Sequence, residues 1–339
     1  MKKIKKNLLG FYSEKGKILL IGKRPPPFGG VSVHVQRLEH FLRKAGREAS
    51  LFDFISDGLF GKITYLKLVL FLILNQFDDV HIHLPNHKIL KIILWLRKYK
   101  KYNVLVTLHN PRIKDLISSK NGRLFLKALK KIDKLIVVGE VILNALKEDS
   151  VRPPKKVVIC DSFIPPTIEN EKAIISTYSE ETAVFYNSRN PLLVANAFQL
   201  VFQNGIDLYG LDLCIQMTFL LKKHFADIGF IFALANGNDH IEYIKKMNEL
   251  IIERKISDNF HFMTGQKEIW PLFKKSHLMV RPTFSDGFGI SVAEALFFNC
   301  PVVASDVCRR PKDTILFKNR DINSLYEKSL HVLKKPSQP

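Results

Sequence analysis

The sequence predicts an α/β protein of two domains, each built on a parallel sheet that helices cover. Short apolar runs typical of buried strands alternate along the chain with longer amphipathic runs typical of helices. Such alternation favours parallel sheets with helices on both faces. The length of 339 residues suits roughly two domains, and a hydrophobic content of 46% is ample for two cores.

Ten apolar runs predict the strands, five in each half of the chain. In the first half they are KILLIG (17–22), DVHIHL (79–84), NVLVTL (103–108), DKLIVV (133–138) and VVIC (157–160). In the second half they are TAVFYN (182–187), IGFIFALA (228–235), NFHFM (259–263), HLMVRP (277–282) and PVVAS (301–305). The polar, proline-containing stretch 161–181 between them predicts a linker. It places the domains at residues 1–165 and 166–321, with a last helical segment in 322–339.

Residues 281–306, RPTFSDGFGISVAEALFFNCPVVASD, contain the strongest functional motif. A Gly-Phe-Gly turn at 287–289 precedes a helical pattern, and an apolar strand follows that helix. Unpaired N–H groups and the helix dipole at such an N-terminus suit an anion such as a diphosphate. Glu294 lies about one turn inside the helix, where its carboxylate could accept hydrogen bonds from a ribose diol. Asp286, on the loop, could face the hydroxyls of a second sugar.

A second loop of this kind follows the first predicted strand. After KILLIG come a Pro-rich loop, the pair Gly29-Gly30 and an amphipathic helix that Gly46 ends. Adjacent glycines let backbone N–H groups approach a phosphate closely. Either loop alone could be an ordinary glycine-containing loop. One such loop lies in each predicted domain.

The two motifs resemble those of the retaining glycosyltransferases of the GT-B fold, often called family 4. That family has Arg-Pro, an acidic residue, Gly-Phe-Gly and a Glu eight positions after the acid, and here Asp286 replaces the commoner Glu. The resemblance implies two Rossmann-like domains facing a central cleft. Residues 1–165 would be the acceptor-side domain and 166–321 the nucleotide-sugar domain. The segment 322–339 would pack back across their junction.

The resemblance also implies roles for individual residues. His109, just past a strand end in VTLHNP, and Asp286 would be catalytic and contact the transferred sugar. The donor-binding residues would be Gly29, Gly30, Arg189, Gly287, Phe288, Gly289, Ile290, Ser291 and Glu294. Arg189 matches the family's arginine after the first strand of the C-terminal domain. Asn204 stands at the position of a usual lysine near the donor phosphates.

Metal and cofactor signals are weak in the sequence. His81, His83 and His87 in HIHLPNH have the spacing of metal ligands, because residues i and i+2 share a strand face. Ordinary strand-end histidines are the favoured interpretation. The sequence contains no Asp-x-Asp motif of a metal–nucleotide site. We therefore expect no metal and no cofactor, with helix dipoles and basic side chains neutralising a leaving diphosphate.

The positive charge is concentrated in the first domain. The net charge is +20, and residues 1–165 contribute 32 of the 52 basic residues but only 13 of the 32 acidic ones. Segments 87–101 and 120–134 mix bulky apolar residues with Lys and Arg at helical spacing, which predicts contact with an anionic membrane surface. A solubilising face is the alternative. Nucleic acid is not expected as a partner, because no recognisable binding module is present.

Several features predict a cytoplasmic protein that lies peripherally on the inner face of the cell membrane. The four cysteines form no Cys-x-x-Cys pair, which favours a reducing compartment. The basic N-terminus lacks the apolar region of a signal peptide. The longest apolar run, 65–77, contains Lys67 and is shorter than the roughly 20 residues of a spanning helix. It predicts a buried or interfacial helix.

The function expected from these observations is retaining sugar transfer from a nucleotide-sugar to a hydroxyl. The acceptor would be a glycan or a polyprenyl-diphosphate-linked sugar, in the biosynthesis of a surface polysaccharide. One alternative is a sugar-nucleotide 2-epimerase, an isomerase of the same fold. Another is a non-catalytic, membrane-bound assembly factor that has lost activity together with the lysine.

Overall fold

A computed structural model describes residues 8–54, 58–109, 113–160, 163–237 and 240–335. The chain divides into two compact units, residues 1–164 and 165–339. Each unit contains one six-stranded sheet in which every pair of neighbouring strands is parallel. The α/β fold class predicted from the sequence, with two parallel sheets, is confirmed.

The N-terminal unit has its strands in the order β2-β1-β3-β4-β5-β6. The strands are β1 (Ile18–Gly22), β2 (Ala49–Asp53), β3 (Asp79–Ile82), β4 (Asn103–Leu108), β5 (Lys134–Val138) and β6 (Val157–Cys160). The helices are α1 (Gly30–Lys44), α2 (Gly58–Leu74), α3 (His87–Leu96), α4 (Ile113–Ser118), α5 (Lys120–Ala128) and α6 (Glu140–Glu148). The strand order reverses between β1 and β3. Open α/β sheets bind ligands outside the carboxyl ends of the strands at such a point.

Both faces of this first sheet are buried, as its continuous apolar strands require. Leu19 and Ile21 of β1 pack into one core with residues of α2, α3 and α5. The alternate residues Ile18 and Leu20 pack into a second core with Val35 and other residues of α1. Alternate side chains of the strand therefore pack against the helix layers on the two opposite faces of the sheet.

The C-terminal unit repeats this plan with the strand order β11-β10-β7-β12-β13-β14. Its strands are β7 (Leu192–Gln199), β8 (Phe202–Gln203), β9 (Ile206–Asp207), β10 (Gly229–Asn236), β11 (Phe260–Thr264), β12 (Leu278–Arg281), β13 (Val302–Ser305) and β14 (Ile315–Phe317). Its helices are α7 (Glu171–Ile175), α8 (Glu180–Ser188), α9 (Leu211–Lys222), α10 (Ile241–Glu253), α11 (Trp270–Lys275), α12 (Ile290–Phe297) and α13 (Ile322–Lys334). The order reverses at β7, between β10 and β12.

The prediction of a strand at TAVFYN is wrong, because residues 182–187 lie within α8. Ser179 caps this helix, since its Oγ accepts a hydrogen bond from the Thr182 N–H at 3.2 Å. Glu180 and Glu181 occupy the first turn, where carboxylates favour the positive end of the helix dipole. These start signals outweigh the β-branched and aromatic residues that suggested a strand.

The first strand of the second sheet is β7, which lies between Arg189 and Asn204 in a stretch where the sequence analysis predicted no strand. Leu192, Leu193 and Val194 are fully buried because β7 has neighbours on both sides. A short antiparallel hairpin of β8 and β9 follows. Its turn is Asn204-Gly205, with φ of +54° and +75°, as a two-residue type I′ turn requires. Asn204 is thus an exposed turn residue.

The boundary between the two compact units lies between Ile164 and Pro165. The predicted linker 161–181 contains the short helix α7. The last helix, α13, packs against α9 and β14 of its own unit. Packing of segment 322–339 across the domain junction stays a prediction, and residues 336–339 lie outside the described residues.

The cap of α8 provides a test of this revised assignment. We expect Ser179→Ala to lower the free energy of unfolding by about 1 kcal/mol, because a helix N-terminus loses a hydrogen bond. Urea unfolding measures the change. Ser176→Ala is the control, since exposed Ser176 donates only to the Ala173 carbonyl. Equal stability of the two variants would contradict the capping role of Ser179.

Candidate functional site

The Gly-Phe-Gly motif lies at the switch point of the second sheet. β12 ends at Arg281 beside β7, and the loop 282–289 leads from its carboxyl end into α12. The glycines therefore lie where a parallel sheet of this type binds ligands. The structure brings residues 286–291 and Glu294 of the predicted donor site together in this one loop and helix.

Asp286 is held by a network of hydrogen bonds below this loop. Its Oδ2 accepts from Arg310 Nη1 at 2.7 Å, Arg281 Nε at 3.0 Å and Thr283 Oγ1 at 3.3 Å. Its Oδ1 accepts from the Gly287 N–H at 3.0 Å. Arg310 also donates to the carbonyl and hydroxyl oxygens of Ser305, on β13. One carboxylate thus ties the loop to two neighbouring strands.

The charge environment keeps Asp286 ionised. Burial alone would raise its pKa, but the attraction of Arg281 and Arg310 outweighs burial and holds the pKa well below its usual value. The Arg310 side chain is only 1% exposed and that of Asp286 14% exposed. Removing the carboxylate would leave buried positive charge without its counter-charge. The predicted contact of Asp286 with sugar hydroxyls stays a prediction.

Gly289 fits both the backbone and the packing of this loop. It is the N-cap of α12 and has φ of +78°, in the left-handed region that favours glycine. A Cβ at this position would lie 2.9 Å from Arg310 Nη1 and 3.0 Å from Val292 Cγ2. The first turn of α12 contains no acidic residue. Its N–H groups, including those of Ile290 and Ser291, therefore suit an anion.

Glu294 lies one turn further along α12 and is 6% exposed. This position agrees with the predicted hydrogen bonding to a ribose, which stays a prediction.

Arg189 does not lie with these residues. It follows α8 and precedes β7, so it lies at the amino end of the second sheet. Its Cβ and Cγ lie close to Gly229, the first residue of β10, and its guanidinium lies over the Phe185 ring at 5.3 Å. The loop of residues 286–289 lies at the carboxyl end, about 20 Å away along strands of this length. The sequence analysis took residues 182–187 as the first strand of this sheet and therefore placed Arg189 after it. In the structure Arg189 precedes the first strand, β7. Arg189 is not part of the candidate donor site.

The N-terminal unit has its own glycine loop at the carboxyl end of β1. Gly29 is the N-cap of α1, and its N–H donates to Ser32 Oγ at 3.0 Å. The position of a Cβ on Gly29 is nearly open, with Ser32 Oγ 3.9 Å away. Gly30 is exposed and begins the helix. No acidic residue lies in the first turn, so this N-terminus also suits an anion.

Histidines surround the switch point beside this loop. His83 follows β3 and His109 follows β4, and their Nδ1 and Nε2 atoms are 3.0 Å apart. His34 of α1 packs its ring against His109, with ring centroids 4.7 Å apart. His81 lies behind them, with its Nδ1 2.7 Å from the Tyr12 hydroxyl and its Nε2 2.7 Å from Thr107 Oγ1.

The rings of His81, His83 and His109 are neutral at physiological pH. Burial lowers the pKa of His81 to about 3. Burial and then the neighbouring histidines lower the pKa of His83 and of His109 well below the usual value. The sequence analysis singled out His81, His83 and His87, whereas the cluster contains His34 and His109 with His83. His34 was missed because it lies on a helix, although that helix starts at the carboxyl end of β1, beside β3.

Comparison with known proteins identifies the C-terminal unit. The sequence profile of a family described as "Glycosyl transferases group 1" matches residues 207–335. This stretch contains the whole Asp286–Glu294 motif. Residues 207–335 therefore resemble the group 1 glycosyltransferases.

A curated relative, the O-antigen chain mannosyltransferase RfbU of Salmonella typhimurium, is 28% identical over 68 residues. That match spans 20% of this chain and 19% of the relative.

Solved structures resemble the chain over almost its whole length. One is Alr3699/HepE of Anabaena in complex with UDP and glucose, with a TM-score of 0.65, 11% identity and coverage of 94% of this chain and 90% of the other. Another is the sucrose-phosphate synthase of Thermosynechococcus elongatus, with a TM-score of 0.63, 16% identity and coverage of 95% and 91%. A third is an α,α-trehalose-phosphate synthase of Burkholderia xenovorans, with a TM-score of 0.64, 13% identity and coverage of 94% and 93%. These likenesses show the fold, which is the GT-B fold of two Rossmann-like domains.

The network around Asp286 makes a prediction about stability. Asp286→Asn should lower the free energy of unfolding at pH 7 by about 3–5 kcal/mol, because it leaves two arginines without their counter-charge. The native carboxyl has a lowered pKa, so its contribution is present above the unfolded pKa and is lost as the pH falls through the lower native pKa. The difference between the two proteins should therefore shrink below about pH 4.

Chemical denaturation over a pH series measures this difference. Asp258→Asn is the control, since Asp258 is exposed. A stability difference that does not change with pH would show that the ion pairs are not its source.

Proposed function

We propose that this protein is a retaining glycosyltransferase that uses a nucleotide-sugar donor and acts in the biosynthesis of a surface polysaccharide. The observation that carries the proposal is the Gly-Phe-Gly loop at the switch point of a group 1 domain, opening into a helix N-terminus free of acidic residues. The UDP bound in the HepE structure supports a nucleoside diphosphate as the ligand of such a fold. The O-antigen mannosyltransferase relative supports a polysaccharide product.

Each part of the motif has a role in this proposal. The N–H groups of Ile290 and Ser291 bind the donor diphosphate, and Glu294 binds the ribose. Asp286 orients the loop through its arginine network and presents its Oδ1 edge to the sugar. Arg189 lies at the amino ends of the strands, away from the loop. The N–H groups and the dipole at the N-terminus of α12 therefore stabilise the leaving diphosphate.

The N-terminal domain binds the acceptor and supplies His109, which contacts the transferred sugar. The acceptor hydroxyl attacks the anomeric carbon on the face from which the diphosphate leaves. A bond forms between that oxygen and the carbon while the bond to the diphosphate breaks, and the leaving phosphate takes the acceptor proton. Configuration at the anomeric carbon is retained.

Turnover separates this proposal from an epimerase or an inactive assembly factor. Purified protein is incubated with a panel of nucleotide-sugars, with and without glycan and lipid-linked acceptors, and the release of nucleoside diphosphate is measured. Acceptor-dependent release and a product of unchanged anomeric configuration by NMR support the proposal. Conversion of the donor without acceptor would indicate epimerisation, and tight donor binding without turnover would indicate an assembly factor.

We also propose that the N-terminal domain binds an anionic membrane at the cytoplasmic face, where a polyprenyl-diphosphate-linked acceptor would lie. The support comes from α2, which buries one face through Leu68 and Leu72 but exposes a second apolar face. The exposed face contains Ile63, Leu66, Leu70, Ile73 and Leu74, with Leu74 80% exposed. An exposed apolar stripe of this length is typical of an interaction surface. No helix in the described ranges is long and apolar enough to cross a bilayer.

Basic residues lie on the neighbouring helices of the same layer. α3 packs against both α2 and α5. Exposed lysines and aromatics accompany the apolar stripe: Lys62, Lys67, Lys88, Lys91, Lys98, Trp95, Tyr99, Lys127, Lys130 and Lys131. An apolar stripe flanked by lysines suits an interface with anionic lipids. Lys134, in the segment 120–134 predicted to touch lipid, is excluded. It is buried and donates to the Phe11 carbonyl at 2.6 Å.

Glu294→Gln should weaken the binding of the nucleoside diphosphate by about 1.5–3 kcal/mol, because charge-assisted hydrogen bonds to the ribose are lost. Calorimetry with UDP and GDP measures the affinity. Glu249→Gln, at an exposed position of α10 in the same domain, is the matched control. Unchanged affinity in Glu294→Gln would remove the residue from the ribose site.

His109→Ala should reduce kcat at least tenfold while leaving the affinity for the free nucleoside diphosphate unchanged, because the ring acts on the sugar. Steady-state kinetics and calorimetry on the same preparation separate the two quantities. His240→Ala is the control, since His240 is exposed and lies in the other domain. A near-wild-type kcat would exclude the sugar contact.

Leu66→Gln combined with Leu70→Gln should weaken sedimentation with liposomes, because apolar side chains leave the interface. Lys127→Gln, Lys130→Gln and Lys131→Gln together should weaken it by about 1 kcal/mol per charge at low salt. The controls are Ile241→Gln with Ile252→Gln, and Lys245→Gln with Lys246→Gln and Lys328→Gln, all exposed in the C-terminal domain. Equal binding to neutral and anionic vesicles, or none to either, would contradict the membrane proposal.

A further inference from the structure

Three histidines of the N-terminal domain form a cluster of which the proposed transferase mechanism uses only His109. His34, His83 and His109 come from α1 and from the ends of β3 and β4, far apart in the sequence. Each offers one ring nitrogen, and these three nitrogens lie within 4.8 Å of one another. The cluster lies at the switch point of the first sheet, where the strand order leaves an opening for a ligand.

We propose that His34, His83 and His109 bind one divalent transition-metal ion of the zinc class, each through one ring nitrogen. Metal–nitrogen distances of about 2.0–2.1 Å place two tetrahedral ligands about 3.3 Å apart. His83 Nδ1 and His109 Nε2 are 3.0 Å apart. An ion between these two nitrogens needs only small rotations of the rings, and the His34 nitrogen, which lies within 4.8 Å of both, has to move closer by up to about 1.5 Å.

The hydrogen bonding of His83 is incomplete. A neutral imidazole has one N–H and one lone pair, so a contact between two rings satisfies one nitrogen of each. His83 is 2% exposed, and within the described residues its Nε2 is buried without a hydrogen-bond partner. A buried polar atom without a hydrogen-bond partner lowers the free energy of unfolding by about 1–3 kcal/mol. His83 therefore does not have the full set of partners that a purely structural histidine normally has.

His81 shows what a structural histidine looks like at the same place. Both of its ring nitrogens have partners, Tyr12 and Thr107, each at 2.7 Å. It packs against the His83 ring, with centroids 4.1 Å apart, but offers no further nitrogen to an ion. His83 differs from His81 in this respect, because one of its ring nitrogens has no partner among the described residues.

The ligand set determines the class of ion. Imidazole nitrogens suit Zn²⁺, Co²⁺, Ni²⁺ and Cu²⁺, whereas Mg²⁺ and Ca²⁺ prefer oxygen ligands. Three protein ligands leave a fourth tetrahedral position open to water or to a hydroxyl. The ligands found among the described residues are all neutral, so the bound ion keeps its full charge.

Metal binding does not depend on the transferase proposal, and its failure would leave that proposal intact. An ion held by His109 competes with the sugar for the same nitrogen, so turnover is not a suitable readout. Direct metal binding is therefore the measurement. Cobalt serves as the probe because tetrahedral Co²⁺ has visible absorption bands that octahedral aqueous Co²⁺ shows only weakly.

The experiment uses full-length protein without an affinity tag, freed of metal with a chelator and titrated with Co²⁺ and then Zn²⁺. We expect one Co²⁺ per chain with tetrahedral bands, and displacement by one Zn²⁺. His34→Gln and His109→Gln should each weaken binding by about 100-fold, since even the loss of an outer-shell partner costs about 10- to 100-fold. His240→Gln, at an exposed position of the other domain, should bind like the unchanged protein.

A substitution that replaces one metal ligand by another tests the site even if the glutamine variants misfold. His34→Cys should retain one Co²⁺ and add a near-ultraviolet charge-transfer band from a thiolate ligand, which identifies the position directly. Octahedral bands, a stoichiometry that varies between preparations, or equal binding by His34→Gln and His240→Gln would overturn the proposal. Retention of Co²⁺ by His34→Cys without the charge-transfer band would exclude His34 as a ligand.

Discussion

The buried ion pairs of Asp286 are the interaction on which the candidate donor site depends. The carboxylate is bonded to Arg281 at the end of β12 and to Arg310 after β13, and it also accepts the Gly287 N–H. This network fixes where the loop leaves the sheet and where α12 begins. Because Gly289 lies close to Arg310, the helix N-terminus is placed beside the same arginine. A shorter carboxylate than the family's usual Glu makes these contacts directly.

The sequence predicted the two-sheet fold and both glycine loops because each depends on local signals. Apolar strands and glycines before helices are legible without tertiary information, and the Glu294 position follows from helix periodicity. The failures occurred where two local signals competed. Residues 182–187 contain strand-forming residues, but the cap at Ser179 makes them a helix. The first strand of the second sheet is therefore β7, which follows Arg189. As a result Arg189 lies at the amino ends of the strands and not at their carboxyl ends.

Other features depend on contacts that no single segment contains. The cluster of His34, His83 and His109 arises because α1, β3 and β4 meet at the switch point of the first sheet. The exposed stripe of α2 could not be predicted from the sequence. Because the whole helix is apolar, hydrophobic periodicity does not separate its buried face from its exposed face. In contrast, the hairpin turn was predictable, because Asn-Gly is the typical sequence of a two-residue hairpin turn. The sequence analysis compared Asn204 only with a lysine of the family and did not predict the turn.

The central claim is that the N-terminus of α12 binds the diphosphate of a nucleotide-sugar, and amide hydrogen exchange tests it most directly. Exchange is followed by mass spectrometry with and without saturating nucleoside diphosphate. The account predicts slower exchange of the Gly287–Ser291 amides and of α12, with no change in the segment around Arg189. Protection of the Arg189 segment without protection of Gly287–Ser291 would contradict it.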